Sequence, residues 1–172
     1  NTEIMNMPGS ASPERVRAWH AMGHQVTNYA FPHTGVENPD YIRRVHGMEL
    51  YKNDFDGTCN YHFLENGSGN IWRDTNSTFR TFSFVYATAD GLIDTLEYEG
   101  FRTAIDDVRY ATLLCQLVEK CMAATDHVDA MYAGKQAMLY LANVRAERDD
   151  LDTLRLEMIR HILKMLNLLE GK

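Results

Sequence analysis

A chain of 172 residues with 45 % apolar content has material for one domain with a real core and is too short for two comfortable ones. Its formal net charge is −7, and Lys and Arg are scattered rather than striped among the aromatics, so nucleic acid is not an expected partner. No apolar run approaches the ~20 residues that cross a bilayer, so no membrane partner is expected either.

The first helix is signalled by Ser12, Pro13 and Glu14 and stopped by Gly23. A strand follows at 25–31, rich in β-branched and aromatic residues, and Pro32 ends it. Asn38, Pro39 and Asp40 open a second helix, which closes around 52–57. A second strand is expected at 58–63. A long polar loop over 64–78 holds Trp72 and Asp74, and a loop of that length in a compact domain is usually functional or mobile. A third strand is expected at 79–86, with Ala89, Asp90 and Gly91 as a turn. From about Thr95 the chain reads as helical to its end, with a middle helix over 128–144 and a last helix from Asp149 or Asp150.

Helix and strand signals in alternation predict consecutive β/α units on a parallel sheet. Three strands cannot close a barrel, which takes about 250 residues. The strands at 25–31 and 79–86 are therefore expected to be edges that need neighbours. The first residue is Asn1, with no charged-then-apolar leader behind it, and the expectation is a chain taken from the middle of a longer one. Cys59, Cys115 and Cys121 have no framework spacing, so no disulfide scaffold is expected. His20 and His24 have helical i, i+4 spacing, but Gly23 intervenes. Neither a metal nor another cofactor is expected.

The stretch 94–110 reads DTLEYEGFRTAIDDVRY. It resembles the final barrel helix of the glycoside hydrolase family 123 catalytic domain and its uncharacterised bacterial relatives. Their pattern is Glu-Gly/Ala-x-Arg-x-Gly-Ile-Asp-Asp-x-x-Tyr. Glu99, Arg102, Ile105, Asp106, Asp107 and Tyr110 match it, and Ala104 stands where the family has Gly. The order of Tyr29 to Pro32, Gly57 to Tyr61, Trp72 with Asp74, and Asp90-Gly91 also fits, so the similarity covers about residues 15–122. The resemblance implies an α/β fold that is the C-terminal portion of a (β/α)8, TIM-type barrel. Residues 1–124 would be its last three units and 125–172 a helical hairpin packing on the barrel helices. It implies a terminal N-acetylhexosamine as substrate, a missing N-terminal barrel half as partner, and a setting compatible with a secreted or periplasmic parent protein. The family's catalytic Asp-Glu pair sits on an earlier strand. This chain has no Asp-Glu dipeptide, so no catalytic residue carries over and the chain alone is expected to be inactive.

Barrel function sits at the C-terminal ends of strands. That rule singles out Tyr29, His33, Tyr61 and His62, with Trp72 and Asp74 in the loop above, as the carbohydrate-binding set. Aromatic rings cover the C–H face of a sugar, and polar side chains bond its hydroxyls. The plainer reading makes Tyr29 and Tyr61 half-buried strand aromatics. Glu99, Arg102 and Asp106 share one helix face and are expected to form a structural ion-pair brace. The competing function is a non-catalytic α/β interaction or carbohydrate-binding module.

Overall fold

The computed structural model describes residues 3–8, 12–29, 38–60, 63–64 and 83–171. Among these residues the protein is mixed α/β, with two small sheets and six helices. It comprises two units, residues 1–105 and 106–172.

The first unit opens on β1 (Ile4–Pro8), a strand absent from the sequence expectations. Helix α1 (Pro13–Ala21) follows. Pro13 costs no hydrogen bond at the first helical position, and Glu14 suits the positive end. Ser12 accepts from the Arg15 and Val16 amides through its carbonyl; its hydroxyl bonds Glu14 instead of capping. Gly23, at φ +81°, ends the helix by turning the chain where other residues are strained. The chain then enters β2 (Gln25–Tyr29).

Asn38 caps α2 (Pro39–His46), its Oδ1 accepting from the Tyr41 amide at 3.0 Å. Gly47 interrupts the helix, and α3 (Met48–Lys52) continues from it. A Cβ at Gly47 would lie 2.5 Å from the Arg43 carbonyl oxygen, so the junction requires glycine. The chain then runs into β3 (Gly57–Cys59).

Strands β1, β2 and β3 form one parallel sheet in that order, with Asn6 opposite Thr27 and Thr27 opposite Gly57. Right-handed crossovers between strands in sequential order put the connecting helices on one face. Side chains alternate between faces along a strand. Val26 and Asn28 are fully buried, and Thr58 bonds His46 of α2, which identifies their face as the helix-covered one. Val16, Ile42, Met48 and Leu50 supply the helical side of this unit's core.

The expected parallel pairing of the strands at 25–31 and 58–63 is present as β2 with β3. The expected edge position of the first is not. The strand at Gln25 is central, because β1 pairs along its whole length. Ile4-Met5-Asn6-Met7-Pro8 has a single β-branched residue and no aromatic, so propensity gave no warning. The third expected strand also differs. Residues 79–82 lie outside the described set, and Val85 starts β4 (Val85–Thr88), which pairs antiparallel with β5 (Gly91–Asp94) across the turn at Ala89 and Asp90. The Phe84 amide, just ahead of β4, bonds the Phe63 carbonyl at 2.9 Å.

Helix α4 (Leu96–Ala123) is the longest, as expected of the helix after the third strand. Its first part belongs to the first unit. There Phe101 and Tyr98 pack against Phe84, with ring centroids 5.0 and 5.6 Å apart. The remainder of α4 forms the second unit with α5 (Val128–Asn143) and α6 (Leu151–Leu169). Asp150 caps α6 by accepting from the Thr153 amide at 2.8 Å. Leu114, Leu117, Cys121, Met158 and Met165 are core residues of this unit. Small residues line the buried side of α5: Ala130, Ala133, Gly134 and Ala137. Helices faced with small residues can approach closely, since interaxial distance is set by the side chains at the contact.

Candidate functional site: the open face of the parallel sheet

The face opposite the helices carries Ile4, Asn6, Gln25, Thr27, Tyr29, Gly57 and Cys59, by alternation from the paired register. Ile4, Asn6, Gln25 and Cys59 are exposed; Thr27 and Tyr29 are half-buried. The polar side chains on this face contact one another. The Thr27 hydroxyl lies 3.2 Å from Asn6 Oδ1, and the Asn6 amide donates to Cys59 Sγ at 3.8 Å. Gly57, opposite Thr27 on β3, carries no side chain, and a Cβ there would lie 3.2 Å from the Thr27 methyl. Tyr29 ends β2 on this face, in register with Cys59 at the end of β3. A phenol beside a row of amide and hydroxyl groups can cover an apolar face of a small molecule and bond its edge.

Of the expected binding residues, Tyr29 is thus placed at a strand end. His33, Tyr61, His62, Trp72 and Asp74 lie outside the described residues. Asn6 and Cys59 were not singled out from the sequence. The first lies on the unrecognised strand, and the second is one cysteine among three with no spacing signal.

The brace takes a different form from the one expected. Glu99 pairs with Arg102 at 2.9 Å, whereas Asp106 pairs with Arg109 at 3.2 Å. Both are exposed i, i+3 pairs and stabilise by a few tenths of a kcal/mol, ~0.3–0.5. The small and buried positions of the same motif have packing roles. A Cβ on Gly100 would lie 2.4 Å from the Pro39 carbonyl oxygen, so α4 and the start of α2 touch backbone to backbone. Ala104 is buried against Gly47. In the second unit, Asp107 is buried and accepts from Arg155 Nε at 2.6 Å, while the Arg155 guanidinium lies 5.7 Å from the Tyr110 ring centroid.

A second polar cluster lies at the opposite, N-terminal end of the sheet. His20 of α1 contacts Asp56 through Nε2 at 2.9 Å and Asp54 through Nδ1 at 3.3 Å. Asp56 also accepts from the Val26 amide at 2.7 Å. The hydrogen bond to Asp56 raises the His20 pKa above its usual value. Burial pushes Asp56 up, but the bonds from Val26 and His20 outweigh it and hold the carboxyl below its usual range. With a carboxylate on each ring nitrogen, His20 ties α1 to the entry to β3. Among the described residues no group of three or more His, Cys, Asp or Glu side chains could hold a metal ion, and no helix is long and apolar enough to cross a membrane.

Comparisons of the chain with protein-family models, with curated proteins and with solved structures find no match.

Proposed function

We propose that the chain is a wall of a (β/α)8-type barrel related to glycoside hydrolase family 123, presenting the C-terminal ends of β2 and β3, at Tyr29 and Cys59, to a terminal N-acetylhexosamine. One observation carries this reading: a parallel sheet in sequential strand order, from which right-handed crossovers put the helices on one face and leave the other accessible. Barrels cover only the outer face of their sheet with helices, whereas doubly wound sheets cover both. In this reading the chain contributes sugar contacts, Tyr29 foremost, and the chemistry belongs to an Asp-Glu pair elsewhere in a longer protein.

Titration of the chain with N-acetylgalactosamine, followed by backbone NMR, tests the reading. Shifts are expected at Tyr29, Thr27 and Cys59, with weak affinity, about millimolar, since half a site forgoes half its contacts. Tyr29→Ala should abolish them. The chain should leave aryl N-acetylgalactosaminides intact, because loss of a general acid costs orders of magnitude in rate, ~10²–10⁴. Turnover by the chain, or an upstream coding sequence without further β/α units, would overturn the proposal.

A second reading, a non-catalytic interaction module, draws on α5. Val128, Tyr132, Met138 and Leu139 are all more than half exposed there, and exposed apolar groups of this kind mark protein-binding surfaces when they are contiguous.

A further inference from the structure

His46 ends α2 and is 1 % exposed. Its Nδ1 lies 2.6 Å from Thr58 Oγ1 of β3, and its ring meets Phe101 of α4 edge-on, with centroids 5.2 Å apart. Its Nε2 is buried and has no hydrogen-bond partner among the described residues. One imidazole therefore joins three elements of the first unit, at the Gly47 junction where the helix breaks. We propose that His46 is a proton-triggered latch, holding β3 and α4 to the end of α2 while neutral and releasing that corner when protonated.

With Nδ1–H donating to Thr58 Oγ1, Nε2 keeps a bare lone pair, the cheaper of the two orphans. Protonation turns that lone pair into a charged donor with no acceptor, in a site closed to water. The charged groups nearest along the contacting elements do not compensate. Arg43 lies one turn back on α2 and Glu97 one turn back from Phe101 on α4. Both are buried and already have interactions of their own. Asp56, ahead of Thr58, is committed to His20 and Val26. Burial alone shifts the group, pushing His46 down to about 4.

The sign follows from linkage. An opened His46 titrates near the usual ~6.5, whereas the latched one resists protonation until about pH 4. Opening is therefore unaffected above about pH 6.5. It grows by up to about tenfold per pH unit below that, reaching about 150-fold at pH 4 and levelling off near about 300-fold at lower pH.

Amide hydrogen exchange at Thr58 and Gly47, corrected for intrinsic rates and measured from pH 7.5 to pH 4, reads the open fraction. The expected result is this rise in the wild-type chain and a flat profile in His46→Asn, whose amide can still meet Thr58 but does not titrate. The wild-type imidazole resonances supply a reading that depends on no variant. They should show the neutral Nδ1–H tautomer until opening begins. A flat wild-type profile would overturn the latch. So would the same slope in His46→Asn, or His46 titrating near 6.5 with protection unchanged.

Discussion

His20 has a carboxylate on each ring nitrogen, so its proton is held from both sides. Its raised pKa means that its contribution is full below about pH 6.5 and is lost as pH rises through the higher folded value. Asp56 runs the other way. Its pKa is depressed, so its contribution is full above the ordinary carboxylate value of about 4 and is lost as pH falls through the lower folded value. The tie should thus be strongest between about pH 4 and 6.5. Asp56→Ala should weaken that pH dependence, leaving Asp54 alone on His20, and cost about 1–2 kcal/mol, since it also strips the Val26 amide of its acceptor. Denaturant titrations at several pH values check both statements. In the second unit, Arg155→Ala should cost about 3 kcal/mol by depriving buried Asp107 of its cation, whereas replacing both partners by leucine should recover much of that loss. A double-mutant cycle on urea midpoints measures the difference.

At the scale of elements, the seat of α4 on α2 turns on Gly100. Alanine is the better helix former by about 1 kcal/mol. Here its methyl would fall 2.4 Å from one backbone atom of Pro39 and 2.8 Å from another, neither of which can rotate away. Gly100→Ala should therefore destabilise by about 2 kcal/mol or more, with the clash outweighing the propensity gain. Gly134→Ala, whose methyl would meet the Cys121 Cβ at 3.1 Å, should cost far less; thermal unfolding of the two variants settles the order. The helices were legible in the sequence because their boundaries are local chemistry. Ser12-Pro13, Asn38-Pro39 and Asp150 mark starts, and Gly23 marks a stop. The strands were less legible because pairing is not local. Ile4 to Pro8 becomes a strand only by lying beside Gln25 to Tyr29, and its own residues do not announce it. The turn at Ala89 and Asp90 was read, but its partner strand was not. Gly91 to Asp94 is exposed throughout, so it carries no in-and-out alternation to detect. Of the open sheet face, the sequence pointed to Tyr29 through the strand-end rule. It was silent on Asn6 and Cys59, which matter only once the register is known.

For the whole molecule, the outer edge of β1 has no strand beyond it among the described residues, and Ile4 on that strand is 64 % exposed. Such an edge is a template for further pairing, only partly blunted by Pro8. Light scattering on the purified chain should show a mass above the monomer. A monomer with one cooperative transition would count against the barrel-wall reading and for the interaction module. The parallel sheet also sets a timetable. Ile4 must wait for Gln25, and Thr27 for Gly57, so the sheet forms only after distant segments have been brought together. The α5–α6 hairpin needs only near neighbours such as Tyr140 and Leu154, whose side chain-to-backbone bond is 2.9 Å long. Local contacts form faster than parallel pairings. Refolding followed by circular dichroism should show an early helical phase, with Trp19 fluorescence of the first unit recovering later. On a ribosome the two orders conflict: the strands emerge before the α5–α6 hairpin, yet the hairpin is the quicker of the two to be ready.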